Sequence, residues 1–181
     1  MTVDHRSIIV NWMWNDTDTP LAYFISFRSY GTWLHGDERG STDRFNNRYK
    51  SPYIAPNKNW LRHNEQKLRA DPLILQAEHR TQIEAAIRET CDIRKWALLA
   101  INVRTNHIHT VVSSRKEPET VLNAFKANAT RKLRETGLWP HPFSPWADKG
   151  SKKRLWNEKS VARAIDYVLN GQGGDLPDFD E

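Results

Sequence analysis

The sequence predicts an α+β domain: an antiparallel sheet with helices packed on one face, followed by one more helix near the C-terminal end. Three observations predict it. Strand-like and helix-like segments follow the order strand, long loop, helix, strand, strand, helix, short strand, helix. Two of those strands are parted only by Arg104-Thr105-Asn106, a gap that reads as an antiparallel hairpin. Neither an internal repeat nor a Gly-rich phosphate loop is present, which leaves a nucleotide-cofactor enzyme unsupported.

Residues 1–20 are mixed in character, end in Asp-Thr-Asp-Thr-Pro and read as a leader. Leu21 to Ser29 is short and rich in aromatic and β-branched residues, the composition of a strand. From about 30 to 72 glycine, proline and polar residues follow no period; this reads as a loop-rich insertion with one short helix near Trp60 to Leu68. Regular structure returns at Leu73 to Lys95, where Ala77, Ile83, Ala86, Ile87 and Cys91 follow helical spacing and charges fill the opposite face. Trp96 to Val103 and His107 to Ser113 are the hairpin strands. Glu119 to Glu135 forms a second helix, with Pro118 near its start, Leu122, Phe125, Ala129 and Leu133 on one face, and Gly137 as its stop. Residues 138–153, with three prolines, are expected to be irregular, and Arg154 to Asn157 a short strand. Ser160 is the expected N-cap of a last helix running to about Asn170. Gly171, Gly173, Gly174 and Pro177 end it, leaving an acidic tail over 175–181. Residues 21–174 therefore read as a single domain, in keeping with ~100–200 residues per domain.

The chain carries 27 Lys+Arg against 22 Asp+Glu, a net charge of +5, and 8 tryptophans. A basic surface with flat aromatic rings fits a polyanion partner such as nucleic acid. The single cysteine, Cys91, cannot build a disulfide framework or a cysteine zinc site, which points to a reducing, cytoplasmic setting. No apolar stretch approaches the ~18 residues of a membrane span, and Trp12 and Asn15 come too early for a signal peptide.

The most informative segment is Asn106-His107-Ile108-His109-Thr110. Alternate strand side chains share a face, so His107 and His109 point the same way while Ile108 and Thr110 point the other. Two neutral imidazoles can bind a divalent cation and leave positions for water and a substrate oxygen. The pair itself does not choose the metal, and a satisfied structural histidine is the plainer alternative. In the last helix Val161, Ala164, Ile165, Val168 and Leu169 define a core stripe. Tyr167 falls about 60° beyond its edge, so its ring can pack while its hydroxyl reaches over the sheet. A tyrosine hydroxyl beside a polarised phosphate and nearby cations is a competent nucleophile; a tyrosine that only packs is the alternative.

In this order these residues resemble the HUH endonuclease superfamily, and more narrowly the single-tyrosine transposases of small bacterial insertion sequences and their REP-associated relatives. Val103-Arg-Thr-Asn-His-Ile-His-Thr-Val-Val112 resembles the histidine strand of that family. Leu155-Trp-Asn-Glu158, with the helix that reads Asp166-Tyr-Val-Leu-Asn-Gly-Gln172, resembles its tyrosine region, and the likeness covers about residues 21–174. The resemblance implies a ferredoxin-like or RRM-like sheet with the tyrosine on the C-terminal helix. It implies that His107 and His109 hold Mg²⁺ or Mn²⁺ against a scissile phosphate of single-stranded, hairpin-bearing DNA. Tyr167 would then attack, leaving a 5′-phosphotyrosine and a free 3′-hydroxyl, and cleavage with rejoining would support DNA transposition. Family members often carry a glutamine four residues after the tyrosine; here Gly171 stands there and Gln172 follows, about 140° round an ideal helix from Tyr167. Gln172, Asn170 and water all stay open as the third ligand.

Candidate DNA contacts are Arg104 at the hairpin turn and Lys149, Lys152, Lys153 and Arg154 before the tyrosine helix. Lys126, Arg131, Lys132 and Arg134 are available on the second helix, where such charges also serve as a solvated face. Trp33, Trp146 and Trp156 could stack unpaired bases, each contact worth ~1–3 kcal/mol, while Trp96 reads as core. A non-catalytic single-stranded nucleic-acid-binding derivative of the same fold competes with the enzyme reading, because of the displaced glutamine. A small-molecule phosphodiesterase is weaker, since no compact apolar pocket signature occurs. Relatives include monomers and dimers, so a homodimer stays open.

Overall fold

A computed structural model describes residues 19–40 and 54–171; most of the leader, residues 41–53 of the insertion, Gln172 and the acidic tail lie outside the described residues. Within them the chain runs through β1 (Ala22–Ser29), α1 (Lys58–Gln66), α2 (Ala77–Arg94), β2 (Ala97–Val103), β3 (His107–Ser113), α3 (Pro118–Glu135), β4 (Trp146–Leu155) and α4 (Glu158–Leu169). The four strands pair antiparallel in the order β2-β3-β1-β4. With α2 and α3 as the crossovers, this is the ferredoxin-like β-α-β-β-α-β arrangement.

Side-chain alternation divides the chain's apolar residues between two layers. Tyr23, Ile25 and Phe27 of β1 and Ile108 and Val112 of β3 meet Ile83, Ile87, Leu122, Phe125 and Leu133 of α2 and α3 in the main core. Ala22 and Phe24 of β1, Ala100, Val111 and Leu155 form a smaller cluster on the other face, beneath Ala164 and Val168 of α4. Being central and covered on both sides, β1 reads as an almost unbroken apolar run. The two helices predicted to share one face do so, and the tyrosine helix lies on the other.

Local signals explain most of the boundaries. Helix α3 starts on Pro118 and is followed by Gly137 at φ +72°. Lys95, at φ 58°, closes α2 by donating its backbone N–H to Asp92 and Cys91 carbonyls. At α4 the N-cap is Asn157, not the predicted Ser160. Asn157 Oδ1 accepts from Ser160 N at 2.8 Å and from Ser160 Oγ at 2.9 Å, so the helix starts at Glu158 and Ser160 is buried in its first turn.

The larger correction is β4, which occupies ten residues from Trp146 where an irregular stretch is predicted up to 153. Backbone pairing to β1 makes it a strand although Ala147-Asp-Lys-Gly-Ser-Lys-Lys153 shows no apolar alternation, and an exposed, charged sequence is what a sheet edge tolerates. Gly150 has a steric cause: a Cβ there would stand 2.7 Å from the Ser26 carbonyl oxygen and 3.1 Å from a Leu122 methyl. Lys126, which by sequence could serve either DNA or a solvated helix face, reaches from α3 to the carbonyls of Ala147, Asp148 and Lys149 at 2.7, 3.2 and 3.2 Å. Trp146 is core, not a base-stacking surface. It is 2% exposed, donates from Nε1 to Lys126 O and Thr130 Oγ1, and packs edge-on to Phe27.

No helix among the described residues is long and apolar enough to cross a membrane.

Candidate active site

The site lies on the α4 face of the sheet. In the β1–β3 ladder His107 pairs with Arg28 and His109 with Ser26, while Ile108 pairs with Phe27 of the main core. The parity of β3 therefore sends both imidazoles to the face that α4 covers. Their ring centres are 4.6 Å apart. Tyr167, on the last turn of α4, packs edge-on to His109 with ring centres 5.7 Å apart. Phe24 lies under both: it stacks on His109 at 5.3 Å and meets Tyr167 edge-on at 6.0 Å.

The imidazoles have distinct surroundings. His107 Nδ1 is 2.6 Å from Asn106 Oδ1, a carboxamide oxygen that can only accept, so Nδ1 carries the proton and Nε2 is the remaining ring nitrogen. His109 is 9% exposed, and its Nδ1 is buried with no hydrogen-bond partner among the described residues. Burial first, and then the charges of His107, Arg28 and Arg104, push its pKa down to about 3. At neutral pH it is an uncharged ring with a lone pair to offer. Two close imidazoles, one with its tautomer set and one with an unused buried nitrogen, fit a divalent cation. Among the described residues no group of three or more His, Cys, Asp or Glu joins them. Gln172, the predicted third ligand, lies outside the described residues. Asn170, the other side chain considered, donates its amide to Asp166 Oδ1 at 2.8 Å on the exposed end of α4. Cys91 stays a protonated thiol, since burial raises it to about 12.

Two features hold the tyrosine helix in place. Asn102 Nδ2 of β2 donates to the Val168 carbonyl at 2.9 Å, tying the last turn of α4 to the sheet. Gly171 then closes over Tyr167: a Cβ at 171 would come 2.9 Å from Tyr167 Cδ2 and 3.0 Å from its Cα. Neither atom can yield without turning the ring or unwinding the helix end. Gly171→Ala is therefore expected to lower any Tyr167-dependent activity about tenfold or more, with a melting temperature close to the parent's. Unchanged activity would show that the close approach is incidental.

The predicted DNA contacts divide between the two faces. Lys153 pairs with Phe24 and shares the histidine face. Lys152 and Arg154 pair with Ile25 and Tyr23 and belong to the opposite face, where Lys152 meets Glu119 and Arg154 meets Glu117 at 3.0 Å. Register decides this, and register is invisible in a lysine-rich run. Arg104 and Lys149 are exposed, and Trp156 is 50% exposed between β4 and α4. On α3, Arg131 pairs with Glu89 and Glu135, and Arg134 donates to the carbonyls of His141, Pro142 and Phe143. Trp33 lies beneath the Arg28 guanidinium. Sequence reasoning passed over Arg28, Phe24 and the tautomer-setting Asn106. Asn106 had a signal, an amide beside a His-x-His pair; Arg28 needed the β1–β3 register.

The profile of the IS200-like transposases matches residues 67–162, just over half the chain, a span that includes both histidines and ends before Tyr167. No curated protein is significantly similar in sequence. Among solved structures, a Deinococcus radiodurans R1 protein described as a transposase shares 12% identity at a TM-score of 0.48, covering 90% of this chain and 98% of its own. A REP-associated tyrosine transposase bound to a REP hairpin shares 11% identity at a TM-score of 0.46, covering 88% of this chain and 70% of its own. On the strength of the profile match, the chain belongs to the IS200-like transposase family.

Proposed function

We propose that this transposase family member cleaves and rejoins single-stranded DNA, with Tyr167 as the nucleophile. The observation that carries the reading is the edge-on packing of Tyr167 against His109, with His107 beside it on the same sheet face. The Tyr167 oxygen forms a bond to the scissile phosphorus while the bond from phosphorus to the 3′-oxygen breaks. The phenolic proton is lost to solvent, the departing 3′-oxygen takes up a proton, and the 5′-phosphate stays on the tyrosine. One phosphoester replaces another, so the reverse attack by a 3′-hydroxyl reseals DNA without nucleotide hydrolysis. His107 and His109 would hold Mg²⁺ or Mn²⁺, which when bound supplies Lewis-acid polarisation of the phosphate oxygens. Asn106 orients His107, and Phe24 fixes the planes of His109 and Tyr167. Arg104 and Lys153 supply positive charge towards a polyanion approaching this face.

The direct test is incubation of the native chain with labelled single-stranded oligonucleotides bearing a stem-loop and flanking sequence, with Mn²⁺ or Mg²⁺. The expected result is a covalent protein–DNA species on a denaturing gel that chelator suppresses. Chelator-insensitive binding with no covalent species on any flanking sequence would replace the enzyme with a nucleic-acid-binding derivative.

A further inference from the structure

Arg28 is a second chemical feature of the histidine face. It is the register partner of His107 across the β1–β3 ladder, and such partners stand ~4.5–5.5 Å apart at Cβ. The side chain is half-buried, and its guanidinium carbon lies 3.1 Å from the centre of the Trp33 ring. A guanidinium held over an indole keeps its N–H donors in its own plane, directed past the ring edge and not into it.

The indole is itself fixed. Trp33 Nε1 donates to the Gly40 carbonyl at 2.6 Å. Arg39 lies over the same ring at 4.7 Å, donates to Thr32 O at 3.1 Å, and grips Asp37 through two bonds of 2.7 and 2.6 Å. Thr32 Oγ1 in turn donates to Ser29 O at 3.0 Å, where β1 ends. The segment after β1 is thus knotted onto Trp33, and Asp37, gripped by Arg39, lies in the field of Arg28 as well.

We propose that Arg28, backed by Trp33, binds a backbone phosphate of single-stranded DNA beside the histidine pair and positions the strand there. This rests on the reading above that the histidine face meets DNA. A planar fork of donors suits a phosphate's paired oxygens, and prior immobilisation on Trp33 reduces the ordering cost of binding. Because Arg28 covers the Trp33 ring, the ligand is the charged backbone, not a base stacked on the indole.

The test uses reversible binding of a fluorescein-labelled single-stranded stem-loop oligodeoxynucleotide, measured by anisotropy across a salt series, with Tyr167→Phe in every protein to prevent chemistry. Arg28→Ala is expected to weaken binding about tenfold and to flatten the slope of log K against log salt by about 0.7, the value for one single-strand phosphate contact. Arg28→Lys should restore the slope but not the full affinity, and Trp33→Leu should lose about threefold in affinity at an unchanged slope. Should Arg28→Ala melt early, Arg28→Gln decides in its place. A native slope without the Arg28 charge overturns the proposal, as does a slope that Arg28→Lys fails to restore. A native chain that forms no covalent species while the slopes behave as expected defeats the nucleophile reading and leaves the phosphate contact standing. A covalent species with an insensitive slope does the reverse.

Discussion

Tyr167→Phe is expected to abolish the covalent protein–DNA species, at least about 10⁴-fold below the native chain and so below detection. When a covalent nucleophile is deleted, only binding and charge stabilisation remain, and losses of about 10⁴–10⁶ are usual. The substitution keeps the ring, and with it the edge-on contacts to His109 and Phe24. Stability should shift by no more than about 1 kcal/mol, the net worth of an ordinary hydroxyl hydrogen bond. Affinity for the oligonucleotide should be nearly native, since it arises from phosphate contacts. A persistent adduct in Tyr167→Phe would mean that another residue attacks.

Phe24→Ala should have the largest effect on the fold and site together. Phe24 is fully buried, belongs to the small cluster beneath α4 and touches both His109 and Tyr167. Truncating a buried phenylalanine costs ~3–5 kcal/mol, set against a total of ~5–15 kcal/mol for a domain. The melting temperature should fall by roughly 10 °C, with covalent activity falling further than the folded fraction. Phe24→Leu separates the two contributions: it should recover most of the stability, but neither aromatic contact, and so only part of the activity. Native activity in Phe24→Leu would show that the rings need packing but not an aromatic neighbour. An unchanged melting temperature in Phe24→Ala would contradict the burial argument.

Much of this architecture was legible in the sequence because the elements that build the main core announce themselves. Tyr23 to Phe27, the spacing of Ile83, Ala86 and Ile87, and Leu122, Phe125, Ala129 and Leu133 each satisfy one local period. That His107 and His109 share a face, and that Tyr167 stands beside the core stripe of its helix, was legible for the same reason, since strand parity and helix phase are local. What stayed hidden depends on partners distant in the chain. Gly150 to Lys153 form a strand because β1 offers its edge, and nothing in their composition says so. Asn157 and Ser160 are equally good caps by type, and it is Asn157 that holds the extended backbone of a cap, at φ −138° and ψ 163°. Lys152 and Lys153 are neighbours in sequence yet serve opposite faces, one bound to Glu119 and the other beside Phe24.

The alternation along β3 has a further consequence for how this protein can change. Ile108 and Val112 belong to the core and His107 and His109 to the candidate site, and the two sets are interleaved over seven residues. Loss of a single residue from the hairpin turn that shifted β3 by one position would press both imidazoles into the main core and turn Ile108 out beneath α4. A shift of two would preserve parity and merely slide the site along the sheet. Drift in the turn is thus filtered by odd and even: odd steps forfeit the core and the candidate site at once, and even steps retain the fold while moving the histidines relative to Tyr167.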